Sequence, residues 1–173
     1  LGHDVEHVPM VSGEIEDFLP LWQQQLASVP IYFGDDSSLQ PVTRWLREVG
    51  RTLDPDDVER ARVHLRDKVE EFVGDADVVL TPTVGRLPPR VGEFEGMSPE
   101  DMFRAVAPIG AFTALFNVTQ GPAANIPAGV SEDALPFCVQ LAAHVGRDGL
   151  VLGLSRQLED AMPWRGRRAP VYF

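Results

Sequence analysis

Phe112–Ala143 reads FTALFNVTQGPAANIPAGVSEDALPFCVQLAA. Phe112, Leu115 and Phe116 stand at helical spacing, so this segment opens with one apolar helix face that gives way to a turn before Ala123. AANIPAGV (Ala123–Val130) and LPFCVQLAA (Leu135–Ala143) then form two strand candidates, separated by the polar turn Ser131 to Ala134 as in a hairpin. Further upstream, DVVLTPT (Asp77–Thr83) is a short β-branched run that ends in proline, as a buried strand does on leaving a sheet.

Helices surround these strands. Asp54 can cap free backbone N–H groups, Pro55 suits a first helical position, and Val58, Ala61, Leu65, Val69 and Phe72 mark one face up to a stop at Gly74. From Glu14 to about Val29 the apolar positions Ile15, Phe18, Leu19, Trp22 and Leu26 give a second helix, in which Pro20 predicts a kink or a division into two. Ser37 to Val49 predicts a third, with Gly50 as its stop. Ser98 with Pro99, Glu100 and Asp101 opens another through Met102, Val106 and Ile109, and Asp148–Ala161 the last, on Leu150, Leu154 and Leu158. Val5 and Val8 suggest a short strand, and the Pro/Gly-rich stretch Val84–Pro99 is expected to be an excursion loop close to a pocket. The expectation is an α/β fold: a mixed β-sheet built in part from Asp77–Leu80, Ala123–Pro127 and Leu135–Ala143, with helices covering both faces. Residues 1–173 read as a single unit, mainly helical over 1–76 and sheet-forming over 77–173.

With 173 residues, 44% of them hydrophobic and 24% charged, the chain can bury one core. A formal charge of −11 repels phosphate backbones and anionic lipid, which argues against nucleic acid or a membrane surface as partner. Arg165, Arg167 and Arg168 at the tail read as a solvated terminus. No run reaches the roughly 18 to 20 consecutive apolar residues of a membrane span. Cys138 is the only cysteine and reads as a small buried hydrophobe; nothing implies an oxidising compartment, and a cytoplasmic location is expected.

Candidate chemistry is sparse. Lys68, the only lysine, lies in a charged helix beside His64 and reads as solvated. Ser12, Ser28, Ser37, Ser38, Ser98, Ser131 and Ser155 fall in no Gly/Ser-rich loop, and Ser37 and Ser98 read as helix caps. His3, His7, His64 and His144 are scattered, so no metal site is expected. Asn117, beside buried aromatics at the end of its helix, must find a hydrogen-bond partner, and either holds backbone in place or touches a substrate.

The quoted stretch resembles the last conserved block of the amidase signature family, serine hydrolases that cut amide C–N bonds. Phe112 and Thr113, Phe116 and Asn117, Thr119, Pro122, Pro127, Gly129, Leu135, Pro136 and Gln140 match its pattern, and LTPT at Leu80–Thr83 and Pro163 with Trp164 follow in register. Gln120 and Gly121 reverse the common Gly-Gln order, and Ala134 and Cys138 replace two usual glycines. Ala111 stands where the tRNA-dependent amidotransferase A subunit typically has an aspartate, which points away from a glutamine-using enzyme and toward an apolar or aryl amide.

The family's mechanism, as the resemblance implies it, has a lysine deprotonate a bridging serine on a cis peptide; that serine relays the proton from a nucleophilic serine, and backbone N–H groups stabilise the oxyanion. Those three residues lie on a Gly/Ser-rich segment well upstream of this block, and this chain has no such segment. The resemblance therefore implies the C-terminal part of an amidase, inactive alone, without catalytic residues, metal or cofactor. It further implies that Pro82, Thr83, Ala111, Phe112, Phe116 and Asn117 serve as pocket or scaffold. The expected partner is the missing N-terminal half or a second copy, with a small amide substrate only in the full enzyme. The rival reading is a stand-alone, non-catalytic structural or binding protein derived from an amidase.

Overall fold

The computed structural model describes residues 1–10, 15–32, 34–132, 135–164 and 166. Ser12, Ala134 and the arginines 165, 167 and 168 lie outside them.

The first three helices are α1 (Ile15–Ser28), α2 (Pro41–Gly50) and α3 (Pro55–Val73). α1 runs unbroken past Pro20, so the segment is not divided into two helices. Within an α-helix the missing proline N–H removes only the bond to the Glu16 carbonyl, one turn from the helix start. The predicted helix from Ser37 divides into a 3-10 turn, Asp36–Ser38, and α2. Pro41 is the cause, because it forces the preceding Gln40 into an extended conformation (ψ 147°). α2 ends at Gly50, as expected, but not through a left-handed turn. A Cβ on Gly50 would overlap the Gln23 carbonyl oxygen, with the carbonyl carbon only 2.5 Å away. Its lack of a side chain lets α2 cross α1 backbone to backbone.

A buried arginine closes the same corner. Arg47 Nε donates to Asp36 Oδ1 at 2.9 Å, while its Nη1 donates to Val29 O at 2.7 Å and to Leu26 O. Carbonyls at the end of α1 thus receive the donors that the helix itself cannot supply. Arg51 also pairs with Asp36, and these two guanidiniums, Arg51 first, hold the Asp36 carboxyl below the usual carboxylate range. α3 follows its sequence signals: Asp54 accepts from the Asp56 N–H at 2.8 Å, and Gly74 ends the helix at φ 52°. Lys68 of α3 pairs with Asp17 of α1 at 2.8 Å.

Among the described residues the sheet has three strands, β1 (Val79–Pro82), β2 (Ala123–Val130) and β3 (Pro136–Ala142), in the order β1-β3-β2, and their pairings are antiparallel. Between β1 and β2 come α4 (Pro99–Val106), a 3-10 turn (Ala107–Gly110) and α5 (Ala111–Thr119); α6 (Asp148–Ala161) follows β3. Helices flank both faces, as the α/β expectation requires. Val79 and Ala142 pack with Leu115 and Phe116 of α5 and with Leu65, Val69 and Phe72 of α3. Ile126 and Leu141, which point the other way, pack against Val151, Leu154 and Leu158 of α6. Residues 1–10 carry no regular structure, so the strand expected at Val5 and Val8 is absent.

The run Pro99–Thr119 has the length and mean hydropathy (1.3) of a membrane span by composition. It is divided by the 3-10 turn, however, and anchored inward through Phe103, Leu115 and Phe116.

Candidate functional site

Register places three polar residues side by side on the α5 face of the sheet: Thr81, Gln140 and Asn125 are direct cross-strand partners. One step along, at Val79, Ala142 and Ala123, the same face is apolar. The sheet face therefore changes character along its length, with its polar end beside the N-terminus of α5.

Gln140 is 2% exposed and Thr81 5%. Buried amides and hydroxyls must be bonded to be tolerated. Gln140 Nε2 donates both to Phe112 O at 3.0 Å and to Thr81 Oγ1 at 3.3 Å, so one side chain ties the first turn of α5 to β1. Thr83 Oγ1 donates to Asn125 Oδ1 at 3.1 Å, bridging the outer strands past the end of β1. Losing such a bond with its partner left buried costs about 1–3 kcal/mol.

The loop after β1 borders this polar end. Gly85 N–H donates to Ile109 O at 3.1 Å, and a Cβ on Gly85 would come within 2.6 Å of Pro108 O, so the loop can cross the 3-10 turn only as glycine. Farther out, Arg86 pairs with Glu93 at 2.7 Å, and Glu93 accepts from the Arg90 N–H at 3.0 Å. Arg86, then that N–H, hold the Glu93 carboxyl below its ordinary range.

Of the residues singled out from sequence, Pro82 ends β1, Thr83 follows it, and Phe112 is drawn to the same polar end through Gln140. Ala111 is the exposed first residue of α5. Phe116 lies elsewhere, buried in the core against α3. Asn117 differs from expectation: α5 continues to Thr119, so Asn117 is within the helix, exposed, and has no side-chain hydrogen bond among the described residues. Sequence reasoning matched Gln140 to a family pattern without giving it a role, and passed over Thr81 and Asn125. Their signal was a lone hydroxyl or amide side chain in each of three otherwise apolar strands.

Ser28, Ser37, Ser98, Ser155 and Lys68 occupy structural places. Ser98 caps α4 through the Asp101 N–H at 3.1 Å, Ser37 donates to Asp35 at 2.5 Å, and Ser155 and Ser28 donate to carbonyls of their own helix. Lys68 is held by Asp17 of α1. Among the described residues no group of three or more His, Cys, Asp or Glu is placed to hold a metal ion.

The sequence model of the Amidase family matches residues 32–152. "Putative amidase AmiC" of Mycobacterium tuberculosis is 36% identical over 183 residues, spanning 98% of this chain and 38% of that protein. The 6-aminohexanoate-cyclic-dimer hydrolase of a Pseudomonas species is 29% identical, over 97% of this chain and 38% of its own length. A solved structure of 6-aminohexanoate cyclic dimer hydrolase with substrate superposes at TM-score 0.77 and 26% identity, over 98% of this chain and 40% of that one. The chain thus spans well under half the length of the relatives it matches.

Proposed function

We propose, from the premise that this chain belongs to the amidase family, that it is the C-terminal part of an amide C–N hydrolase. It supplies scaffold and one wall of the pocket, and the Ser/cis-Ser/Lys set comes from the remaining polypeptide. The observation that carries this reading is the pairing of nearly full coverage of this chain with 38% coverage of its relatives. The engagements of Lys68, Ser98 and Ser155 support it, since each of these has a structural role that catalysis would disturb.

On this reading the pocket wall is the polar end of the sheet: Thr83 and Asn125 at its mouth, with Gln140 holding the start of α5 at a fixed height above them. Acyl transfer needs such a wall because reacting atoms must be held within a fraction of an ångström. Ala111 and the apolar residues beside it offer no charge for an ammonium group, which favours an apolar or aryl amide.

The test is hydrolysis of a simple anilide. The purified chain is expected to show none above background. Co-expression with the part of AmiC that lies outside the match is expected to restore it, sensitive to a serine-directed reagent. Turnover by the chain alone that survives repurification overturns the reading.

A further inference from the structure

The polar row of the sheet is satisfied unevenly. Gln140 and Thr81 are buried, and Gln140 Nε2 donates twice, to Phe112 O and to Thr81 Oγ1. Asn125, the third member, is exposed, and its side chain is held at the oxygen, where Thr83 Oγ1 donates to Oδ1 at 3.1 Å. Which end a carboxamide turns to a partner is read from the bonds around it, and a hydroxyl that donates to the oxygen leaves the nitrogen facing away. Two N–H donors of Asn125 Nδ2 therefore stand at the sheet surface with no acceptor among the described residues.

Thr83 reaches Asn125 across the width of the sheet. Its own N–H donates to Cys138 O at 3.3 Å, so it stands level with Cys138, while Asn125 is paired with Gln140. The side-chain bridge thus crosses β3 diagonally, from the level of Cys138 to that of Gln140. On the same face, one row farther out, lie Cys138 and its cross-strand partner Pro127, both half-buried. No Asp, Glu, Lys or Arg belongs to either row, and the ions of the adjacent loop, Arg86 and Glu93, are paired with each other at 2.7 Å. Asparagine is a poor strand former, so its place in the middle of β2 brings the sheet itself no gain.

Uncharged N–H groups on a surface without a cation suit a neutral acceptor, a carbonyl oxygen, and offer nothing to hydrocarbon. Resting on the reading of the preceding subsection, in which this end of the sheet is pocket wall, we infer that Asn125 is a specificity-determining residue. Its Nδ2 donates to a second carbonyl oxygen of the substrate, separate from the amide carbonyl that is cut. Thr83 is a positioning residue, which keeps the nitrogen of that carboxamide turned toward the substrate. The preferred substrate is then an aryl amide whose acyl part carries a further carbonyl. A bond made away from the reacting atoms holds ground state and transition state alike, so its effect falls on KM and not on kcat.

The experiment compares two anilides in the complex of this chain with the co-expressed unmatched part of AmiC. One is 4-oxopentanoyl anilide; the other is its isostere with a methylene group in place of the ketone oxygen. The parent complex is expected to prefer the ketone by about tenfold in kcat/KM, carried by KM. Asn125→Leu is expected to abolish the preference, and Asn125→Asp, which keeps an acceptor and loses the donors, to reverse it. Thr83→Val is expected to weaken it and Thr83→Ser to keep it. The isolated chain reads the bridge without any activity. NMR of the Asn125 side-chain amide is expected to show both protons away from their positions in an unfolded peptide, returned to them by Thr83→Val and not by Thr83→Ser. Equal kcat/KM on the two anilides, a preference carried by kcat, or one that survives Asn125→Leu or Asn125→Asp overturns the inference and leaves the functional reading standing. Side-chain amide signals indifferent to Thr83→Val overturn the role of Thr83. A complex that hydrolyses neither anilide overturns the functional reading, and this inference with it.

Discussion

Ile15–Val73 and Val79–Ala161 solve the same burial problem to different degrees. In the helical region α2 reaches α1 at Gly50, Arg47 satisfies carbonyls at the end of α1, and Asp17 and Lys68 tie α1 to α3. In the sheet region one row of a single sheet holds Leu141 fully enclosed beside Leu80 mostly in solvent. Gln120, at the close of α5, even takes a left-handed conformation (φ 62°, ψ 21°) without being glycine. The difference teaches where the chain is self-sufficient. The helical region meets its backbone and charge needs largely from within, although it shares its core with Leu115, Phe116 and Phe103 and buries Arg44 Nε without a partner, whereas the sheet region leaves Leu80 mostly in solvent and a strained turn at Gln120.

The largest effect is expected where the helical region is tightest. Gly50→Val puts branched carbon into the space held by the Gln23 carbonyl, which belongs to another helix and cannot turn aside. Either α1 and α2 separate or the backbone distorts, at a cost of about 3 kcal/mol or more. Urea unfolding of the purified variant is expected to show that loss in its midpoint. A midpoint within error of the parent would mean that the α1–α2 crossing is looser than its geometry and that the contrast between the two regions is false.

A smaller change of opposite sign is expected in the sheet region. A left-handed residue with a Cβ is disfavoured by about 1–2 kcal/mol, and glycine is the usual occupant of such a helix end. Gln120→Gly should therefore stabilise the chain by about 1 kcal/mol, less what glycine adds to the flexibility of the unfolded state. A rise in melting temperature checks it. A fall would mean that the Gln120 side chain offsets its own strain, and the turn would no longer count among the unfinished parts of this region.

What could be read from the sequence follows the reach of each interaction. α3 was legible to its ends because Asp54, Pro55 and Gly74 act on their own backbone within a turn. The hairpin of β2 and β3 was legible because a polar turn joins two apolar runs. Gly50 was legible as the end of α2 but not as the place where α2 crosses α1, because only the neighbouring helix decides that. The polar row escaped notice for the same reason. Thr81 and Gln140 lie 59 residues apart and Thr83 and Asn125 lie 42 apart, so their meeting depends on a register that no local pattern encodes. The short strand at Val5 and Val8 failed through lack of a partner, since alternation without a neighbouring strand satisfies no backbone group.

The smallest effect is expected at Asn117, and its sign separates two accounts of α5. Asn117 beside Phe116 reads in sequence as a buried amide whose loss would destabilise the chain. In the structure it points from the exposed side of a helix that continues two residues beyond it, with no bond to lose among the described residues. Alanine then differs only in intrinsic preference, since asparagine competes for backbone bonds in non-helical conformations and alanine does not. Asn117→Ala should raise stability by about 0.5 kcal/mol, a shift near the limit of urea titration but resolvable against the parent in parallel melts. A loss of 1 kcal/mol or more would show that the amide holds backbone after all. If instead the isolated chain gains stability while the co-expressed complex loses turnover, Asn117 is a residue of the unfinished side, idle here and used only once the remaining polypeptide is in place.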